Sequence, residues 1–407
     1  MPRLQPSLIR RAHRISPQLA ALLPACRDLG SARIELCWIR EHVLSSSSPS
    51  TSSSKTRNAS STTASQRAKI AHLCAERGRG IPLQYVLGSQ PFGPLEIACR
   101  PGVLIPRSET EAWVHELAER IIFLLPGGQR HERPQQARPL RVVDFCTGTG
   151  CVAMLLAALL RTHITLPGPF KGLSIRGFDL ETRAVALARR NLALNQGNMW
   201  PPRGGWTPDP GSTEDQWGLC DVKFEKADVF SQEWEAFLPR DAKREGGKTP
   251  RIDILVSNPP YISTRGFNHD TGRSVRNYEP KLALVPDPAL LVTGPAGDED
   301  YDCAPEDVFY ARLLRIAEQT QAGVVLFEVG DMAQAMRVVA LAWDIETAED
   351  EGNGGWNHDE VEIWRDWPEG KPAKDEEESV CIDDVDVPVI GSGEGRAVLL
   401  RRGPWNR

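Results

Sequence analysis

The residues Asn258-Pro259-Pro260-Tyr261 close an apolar run that begins at Ile252. Their types suit one task. Two successive prolines fix φ, remove two N–H donors and hold the preceding residue extended. A rigid loop at the end of a strand then displays an amide side chain, backbone carbonyls and an aromatic face. Such a loop can receive a planar –NH2 group. The Asn258 oxygen and a backbone carbonyl accept its two hydrogens, and Tyr261 packs on its plane. The plainer alternative is a turn that punctuates a strand.

A second constellation lies upstream. Val142-Val143-Asp144-Phe145-Cys146-Thr147-Gly148-Thr149-Gly150 reads as a strand running into a Gly-rich turn that opens a helix. The next strand ends in Phe178-Asp179, where doubly wound folds place an acid on a ribose diol. A third strand is followed by Ala227-Asp228-Val229-Phe230, where a carboxylate can accept from an adenine amino group or simply cap a helix. A nucleotide-containing cofactor is implied. No Gly-Lys-Ser/Thr follows the turn, so it is not a phosphate loop. Ala153 replaces the third glycine of a dinucleotide fingerprint, a permitted variant, so a dinucleotide and S-adenosylmethionine both stay open. The second carries no phosphate and would use the glycines for close approach of its methionine part.

These turns need a sheet to hold them. From Arg141 onward apolar strands alternate with amphipathic helices: strands at 141–145, 174–178, 222–227, 252–256, 324–328, 361–364 and 397–401, helices at 152–160, 182–194 and 332–342. That alternation predicts a doubly wound, mostly parallel α/β sheet of seven strands. The last two strands lack a helix between them and are expected as an antiparallel edge pair. Upstream, helices are expected at 31–44 and 65–77, around a Ser/Thr tract at 45–65 too polar to bury a core. Residues 81–107 read as short strands forming a linking β-hairpin. Residues 108–125 read as a helix capped by Ser108, with Glu109 and Glu111 in its first turn. Segments 126–138, 196–218, 239–250, 346–359 and 369–395 read as polar, Gly-rich or acidic solvated insertions.

Composition narrows the class. The 407 residues are 41% hydrophobic and 25% charged, with a net charge of −6. No dense basic stripe appears, which argues against gripping duplex nucleic acid by its phosphates. The nine cysteines form no C-x-x-C pair, so no metal site is expected and a reducing compartment is implied. No apolar run approaches the roughly 20 residues that span a bilayer. Residues 1–27 hold five arginines and no acid, with leucines and isoleucines along one side. Basic, amphipathic and acid-free is the pattern of a mitochondrial presequence, set here at 1–24; the alternative is an ordinary first helix.

Taken together, Asp144-x-x-Thr147-Gly148-Thr149-Gly150, Asp179, Asp228 and Asn258-Pro259-Pro260-Tyr261 occur in the order used by class I methyltransferases that modify planar amino groups. The upstream block Pro82-Leu83-Gln84-Tyr85-Val86-Leu87-Gly88, Phe92 and Val103-Leu104-Ile105-Pro106-Arg107-Ser108-Glu109-Thr110-Glu111 resembles the HemK/PrmC family. The likeness extends to Tyr278-Glu279-Pro280 and Phe327-Glu328-Val329-Gly330. Members of that family are glutamine-N5 methyltransferases acting on the Gly-Gly-Gln motif of peptide-chain release factors. The resemblance implies a class I methyltransferase domain at 108–407. A small helical substrate-recognition domain would fill 25–80, and a linking hairpin 81–107. It implies S-adenosylmethionine held by Asp144, Cys146, Thr147, Gly148, Thr149 and Gly150. Asp179 would lie on the ribose, Asp228 and Val229 beside the adenine, and Asn258 bordering the donor.

The same resemblance implies that Asn258, Pro259, Pro260 and Tyr261 receive the glutamine amide, with Arg107 and Glu111 in support. The implied partner is a class I release factor, met by a monomer in the mitochondrial matrix, or in the cytoplasm if the leader is a first helix. No membrane and no direct nucleic-acid contact are expected. Two positions depart from the family. Cys146 and Ser108 stand where glycine and proline are usual, and a positive φ at 146 would cost about 1 kcal/mol. Two rival functions remain at this level: methylation of adenine or guanine amino groups in RNA or DNA, which shares the Asn-Pro-Pro-Tyr loop, and a non-catalytic scaffold with the same fold.

Overall fold

The computed structural model describes residues 4–45, 62–124, 138–161, 170–199, 220–238, 251–291, 303–347, 356 and 360–402. Most of the Ser/Thr tract, and most of the insertions expected at 126–138, 196–218, 239–250 and 346–359, lie outside them. The chain opens with helices α1 (Pro6–Ile15), α2 (Pro17–Cys26), α3 (Leu29–Ser45), α4 (Ala64–Gly78) and α5 (Leu83–Leu87). Strands β1 (Ser89–Phe92) and β2 (Leu95–Ala98) follow, then α6 (Ser108–Leu124), β3 (Arg138–Phe145), α7 (Cys151–Leu160), β4 (Phe170–Asp179), α8 (Thr182–Met199) and β5 (Cys220–Lys226). Next come β6 (Ile254–Ser257), α9 (Thr264–His269), α10 (Arg273–Tyr278), α11 (Val308–Thr320), β7 (Val324–Glu328) and α12 (Met332–Thr347). Strands β8 (Val361–Trp367), β9 (Ser379–Ile382), β10 (Val385–Ile390) and β11 (Ser392–Arg401) end the fold.

Two compact units result. The smaller holds residues 1–90, 99–101 and 271–279. Ser16 caps α2 by accepting from the Leu19 N–H at 3.1 Å, and Thr63 and Gln66 form a reciprocal capping box on α4. Residues set aside as a leader build α1 and most of α2, and Ala12, Leu19, Leu22 and Leu23 are buried with Leu36, Ile39 and Cys74. A Cβ at Gly78 would fall 1.9 Å from the Ala21 carbonyl oxygen, so α2 and α4 meet backbone to backbone there. Arg77 grips Glu35 through Nε at 2.7 Å and Nη2 at 2.9 Å. Ser274, at the start of α10, donates to the Gly80 carbonyl at 2.7 Å.

The larger unit is a nine-stranded sheet in the order β5-β4-β3-β6-β7-β11-β8-β10-β9. Strands β5 through β7 are parallel, and β11 is antiparallel to both its neighbours. The central strands β3, β6 and β7 are buried on both faces. Val142, Ile254, Val256 and Leu326 pack with α6 and α7, whereas Val143, Leu255, Val325 and Phe327 pack with α11 and α12. That explains the unbroken apolar runs.

Five differences from the sequence expectation stand out. Residues 83–87 are a helix, because Pro82 starts it and Gly88, at φ 87°, ends it in the left-handed region. Residues 103–107 pair with no strand, so the linking hairpin is β1–β2 alone. Ser108 lies inside α6 and donates to Glu109 rather than capping the helix. The long strand β11 inserts between β7 and β8 instead of lying at the sheet edge. The segment read as an acidic loop at 369–395 forms β9 and β10, a hairpin turned by Asp383 and Asp384 at φ 47° and 64°. Positive φ at both central residues belongs to a type I′ turn, and Asp tolerates it.

Asp253 is the acidic interruption in the apolar run before β6, and it is 4% exposed. Its two oxygens accept from Arg138 Nη1 and Nη2 at 2.6 Å each, and Oδ2 also accepts from the Arg141 N–H at 2.9 Å. This clamp ties the start of β3 to β6. Asp253→Ala strands the guanidinium and a buried N–H, and is expected to cost about 2–4 kcal/mol. Urea unfolding of the two proteins measures it; a change below half a kcal/mol would contradict the clamp.

Candidate active site

The register of the parallel strands sets the site. Phe145 pairs with Phe178 on one side and with Ser257 on the other, so β3, β4 and β6 end level. The Ser257 hydroxyl donates to the Phe145 carbonyl at 2.8 Å and locks two of those ends together. The loops leaving them line a cavity of about 260 Å³, with the segment 102–107 and residues 280–290 completing its wall. Sites at the carboxyl ends of parallel strands are the rule for this architecture.

The Gly-rich turn is held mainly by the end of the next strand. The Thr147 N–H donates to the Phe178 carbonyl at 2.9 Å, the Gly148 N–H to Asp179 Oδ2 at 2.9 Å, and the Gly150 N–H to the Thr147 carbonyl at 2.8 Å. Cys146, Gly148 and Gly150 have φ values of 59°, 55° and 78°. Glycine is required at 150, where a Cβ would meet the Phe224 ring at 2.7 Å. Cys146 adopts the left-handed conformation that costs a side-chain-bearing residue about 1 kcal/mol. Asp144 is buried and accepts from the Thr147 hydroxyl at 2.6 Å, and burial pushes its carboxyl up to about 7. Burial also raises Asp179, although the N–H groups of Gly148 and Glu181 both donate to it and oppose the shift.

At the next strand end, Asp228 Oδ1 accepts from the Phe230 N–H at 2.9 Å, while Val229, Phe230 and Phe309 form an apolar wall. The Phe230 and Phe309 rings meet edge to face, centroids 5.0 Å apart. Arg312, buried on α11, donates to the Val229 carbonyl at 2.9 Å and the Ser231 carbonyl at 3.0 Å and fixes this loop.

The Asn-Pro-Pro-Tyr loop follows β6. Asn258 Nδ2 donates to the Thr110 hydroxyl at 3.4 Å. Thr110 donates in turn to Glu328 Oε2 at 2.5 Å, and Trp113 Nε1 donates to the same oxygen at 2.8 Å. The Tyr261 hydroxyl donates to Glu328 Oε1 at 3.2 Å. Glu328 is 1% exposed, and burial raises its carboxyl. Burial likewise pushes the Tyr261 phenol well above its ordinary value, with the Glu328 charge adding to the effect.

Of the residues singled out in the sequence, Asp144, Cys146, Thr147, Gly148, Thr149, Asp179, Asp228, Val229, Asn258, Pro260 and Arg107 line one cavity. Gly150, Pro259, Tyr261 and Glu111 do not line it. Gly150 shapes the turn, and the Glu111 N–H bonds the Arg107 carbonyl at 3.2 Å in the first turn of α6. Thr110, Glu328, Phe309 and Arg312 escaped notice as site residues. The signal for Glu328 was an acid ending an otherwise apolar strand. Among the described residues no group of His, Cys, Asp or Glu is placed to hold a metal, and no helix is long and apolar enough to cross a membrane.

No protein-family model matches the chain. Among curated proteins, a mitochondrial MRF1 N5-glutamine methyltransferase of Saccharomyces cerevisiae is 33% identical over 285 residues, 70% of this chain and 68% of that protein. The chain belongs to the family of N5-glutamine methyltransferases. A probable mitochondrial MRF1 N5-glutamine methyltransferase of Schizosaccharomyces pombe is 29% identical over 353 residues, 86% of this chain and 93% of its own. A release factor glutamine methyltransferase of Haemophilus influenzae is 29% identical over 269 residues, 65% and 68% of the two chains. Among solved structures, the N-terminal domain of human METTL16 in complex with SAH matches 81% of this chain and 82% of its own at 15% identity, with a TM-score of 0.36; at that level nothing about this chain follows from it.

For this member of the family, the buried carboxyl of Asp144 makes stability pH-dependent. Its folded value of about 7 lies above the ordinary 3.8. The folded state therefore holds the proton more tightly, and the resulting stabilisation is present at low pH and lost as pH rises through 7. Asp144→Asn does not titrate. Relative to wild type it should gain stability as pH is raised from about 4 to 7 and level off above, followed by urea midpoints. A gap that stays constant with pH would contradict the assignment.

Proposed function

We propose that this protein transfers a methyl group from S-adenosylmethionine to the side-chain amide nitrogen of the glutamine in the Gly-Gly-Gln motif of a peptide-chain release factor. The observation that carries the reading is the position of Asn258. Its carboxamide borders the same cavity as the Gly-rich turn and Asp179, with Nδ2 turned to Thr110. The relatives named for glutamine methylation support the target atom.

The cavity fits a cofactor without phosphate. A phosphate cradle needs loop N–H groups aimed at the ligand. Here the N–H groups of Thr147, Gly148 and Gly150 are already taken, by the Phe178 carbonyl, the Asp179 carboxyl and the Thr147 carbonyl. Asp179 and Asp228 border the space, a setting that favours a cationic ligand over an anionic one. Cys146 to Thr149 would hold the methionine portion, Asp179 the ribose, and Val229, Phe230 and Phe309 the adenine. Bound there, S-adenosylmethionine supplies an electrophilic methyl group on a sulfonium.

The chain's own residues supply position and polarity. An amide nitrogen is a weak nucleophile, because its lone pair is delocalised into the carbonyl. Asn258 Oδ1 and the Pro259 carbonyl accept its two hydrogens and turn the lone pair toward the donor. Accepting from those hydrogens also stabilises the positive charge that develops on nitrogen, and the nitrogen gives up one of them to solvent once the methyl group is in place. Orientation of this kind can lower a barrier by about 7–11 kcal/mol. Tyr261, tied through its hydroxyl to Glu328, keeps the loop rigid. The smaller helical unit offers a second contact for the release factor. The names of the fungal relatives favour a mitochondrial setting.

Incubation with methyl-labelled S-adenosylmethionine tests the reading. A release factor carrying Gly-Gly-Gln should take up label, and the same factor with that glutamine changed to alanine should not. Asn258→Ala should lose at least about a hundredfold in rate while still binding the cofactor. Label in the alanine substrate, or near-normal turnover by Asn258→Ala, would contradict it.

A further inference from the structure

The two ends of a carboxamide have nearly the same shape, so the end of Asn258 that faces the cavity is decided by its partner. That partner is the Thr110 hydroxyl, 2% exposed and 3.4 Å from Nδ2. A hydroxyl can donate only once. Thr110 spends its proton on Glu328 Oε2 at 2.5 Å. The same oxygen receives Trp113 Nε1–H at 2.8 Å, and an indole nitrogen can only donate. Trp113 thus requires an acceptor at that point, the acceptor draws the Thr110 proton, and Thr110 is left with lone pairs alone toward Asn258. Only Nδ2 can satisfy them.

From this geometry we infer that Thr110 is a positioning residue. Together with Glu328 and Trp113 it sets the flip state of the Asn258 carboxamide, so that Oδ1 and not Nδ2 is presented to the substrate amide. With the opposite flip, an N–H would face the hydrogens of the incoming –NH2 group and repel it. The inference rests on the glutamine-methylation reading for its kinetic consequence, but not for the orientation itself.

The relay makes a distinctive pair of expectations. Thr110→Val keeps the shape and removes the hydroxyl. Its kcat for release-factor methylation should fall about tenfold, the effect of losing one buried, orienting hydrogen bond. The Kd for S-adenosylmethionine should stay near that of wild type, while the thermal midpoint falls by the cost of one lost buried hydrogen bond. Thr110→Ser restores the hydroxyl and should recover kcat to within about threefold. A valine variant with unchanged kcat, or a loss that serine does not rescue, overturns the relay. A wild-type enzyme that fails to methylate the Gly-Gly-Gln substrate would instead overturn the reading of function. In that case, or if the valine variant does not fold, NMR of the wild-type protein with labelled asparagine decides. Cross-relaxation between the Asn258 carboxamide protons and the Thr110 side chain is expected; its absence, with the signals assigned, rejects the proposed flip.

Discussion

The site depends on the register between β3 and β6. Phe145 lies opposite Ser257, and the serine hydroxyl reaches across to the Phe145 carbonyl. A slip of one residue would turn every side chain of the strand to the other face and separate the two loops. In the observed register, the turn at 146–150 and the loop at 258–261 leave the sheet side by side. At the opposite ends of the same strands, Asp253 and Arg138 form the clamp that makes slippage costly. A parallel sheet buried on both faces leaves little room for another pairing.

The residues that hold the loops around the site lie farther out and are nearly all buried. Arg312 secures the loop that carries Val229, and Glu328 gathers Thr110, Trp113 and Tyr261. Each is a charged group taken out of water, which is tolerated because its hydrogen bonds are made. The strain lies elsewhere. Cys146 occupies the left-handed region that glycine enters freely, and that cost falls within the turn of the cofactor side. Rigid surroundings and a strained turn are consistent with a site that works by positioning.

Much of this was legible in the sequence, because apolar runs with Gly-rich or Pro-rich ends are read directly from residue types. The core strands β3, β4, β6 and β7 fell close to their expected places, and most of the residues named at the cofactor end border one cavity. Four elements were hidden for physical reasons. Helix α11 has Arg312, Arg315 and Gln319 along one side of an otherwise apolar sequence, but Arg312 on that side is itself buried, so the polar side did not mark a solvent face. Strands β9 and β10 are flanked by acids, Glu376 to Glu378 before β9 and Asp383 and Asp384 in the turn, with Asp386 exposed within β10, and this charge masked the alternation that buries Ile382, Val387 and Val389. Residues 83–87 have strand-like composition, yet Pro82 and Gly88 delimit a helical turn whose Leu83 is buried in the smaller unit. The role of Glu328 could not be read locally, since Thr110, Trp113 and Tyr261 come to it from distant parts of the chain.

The central claim is that an amide –NH2 group is received between Asn258 Oδ1 and the Pro259 carbonyl at the edge of the cofactor cavity. A crystal structure with S-adenosylhomocysteine and a Gly-Gly-Gln peptide tests it most directly. The account predicts the glutamine nitrogen within hydrogen-bond distance, about 2.7–3.2 Å, of both oxygens, with its open side toward the cofactor sulfur. A glutamine bound elsewhere, or held with its carbonyl oxygen against Asn258, would contradict it.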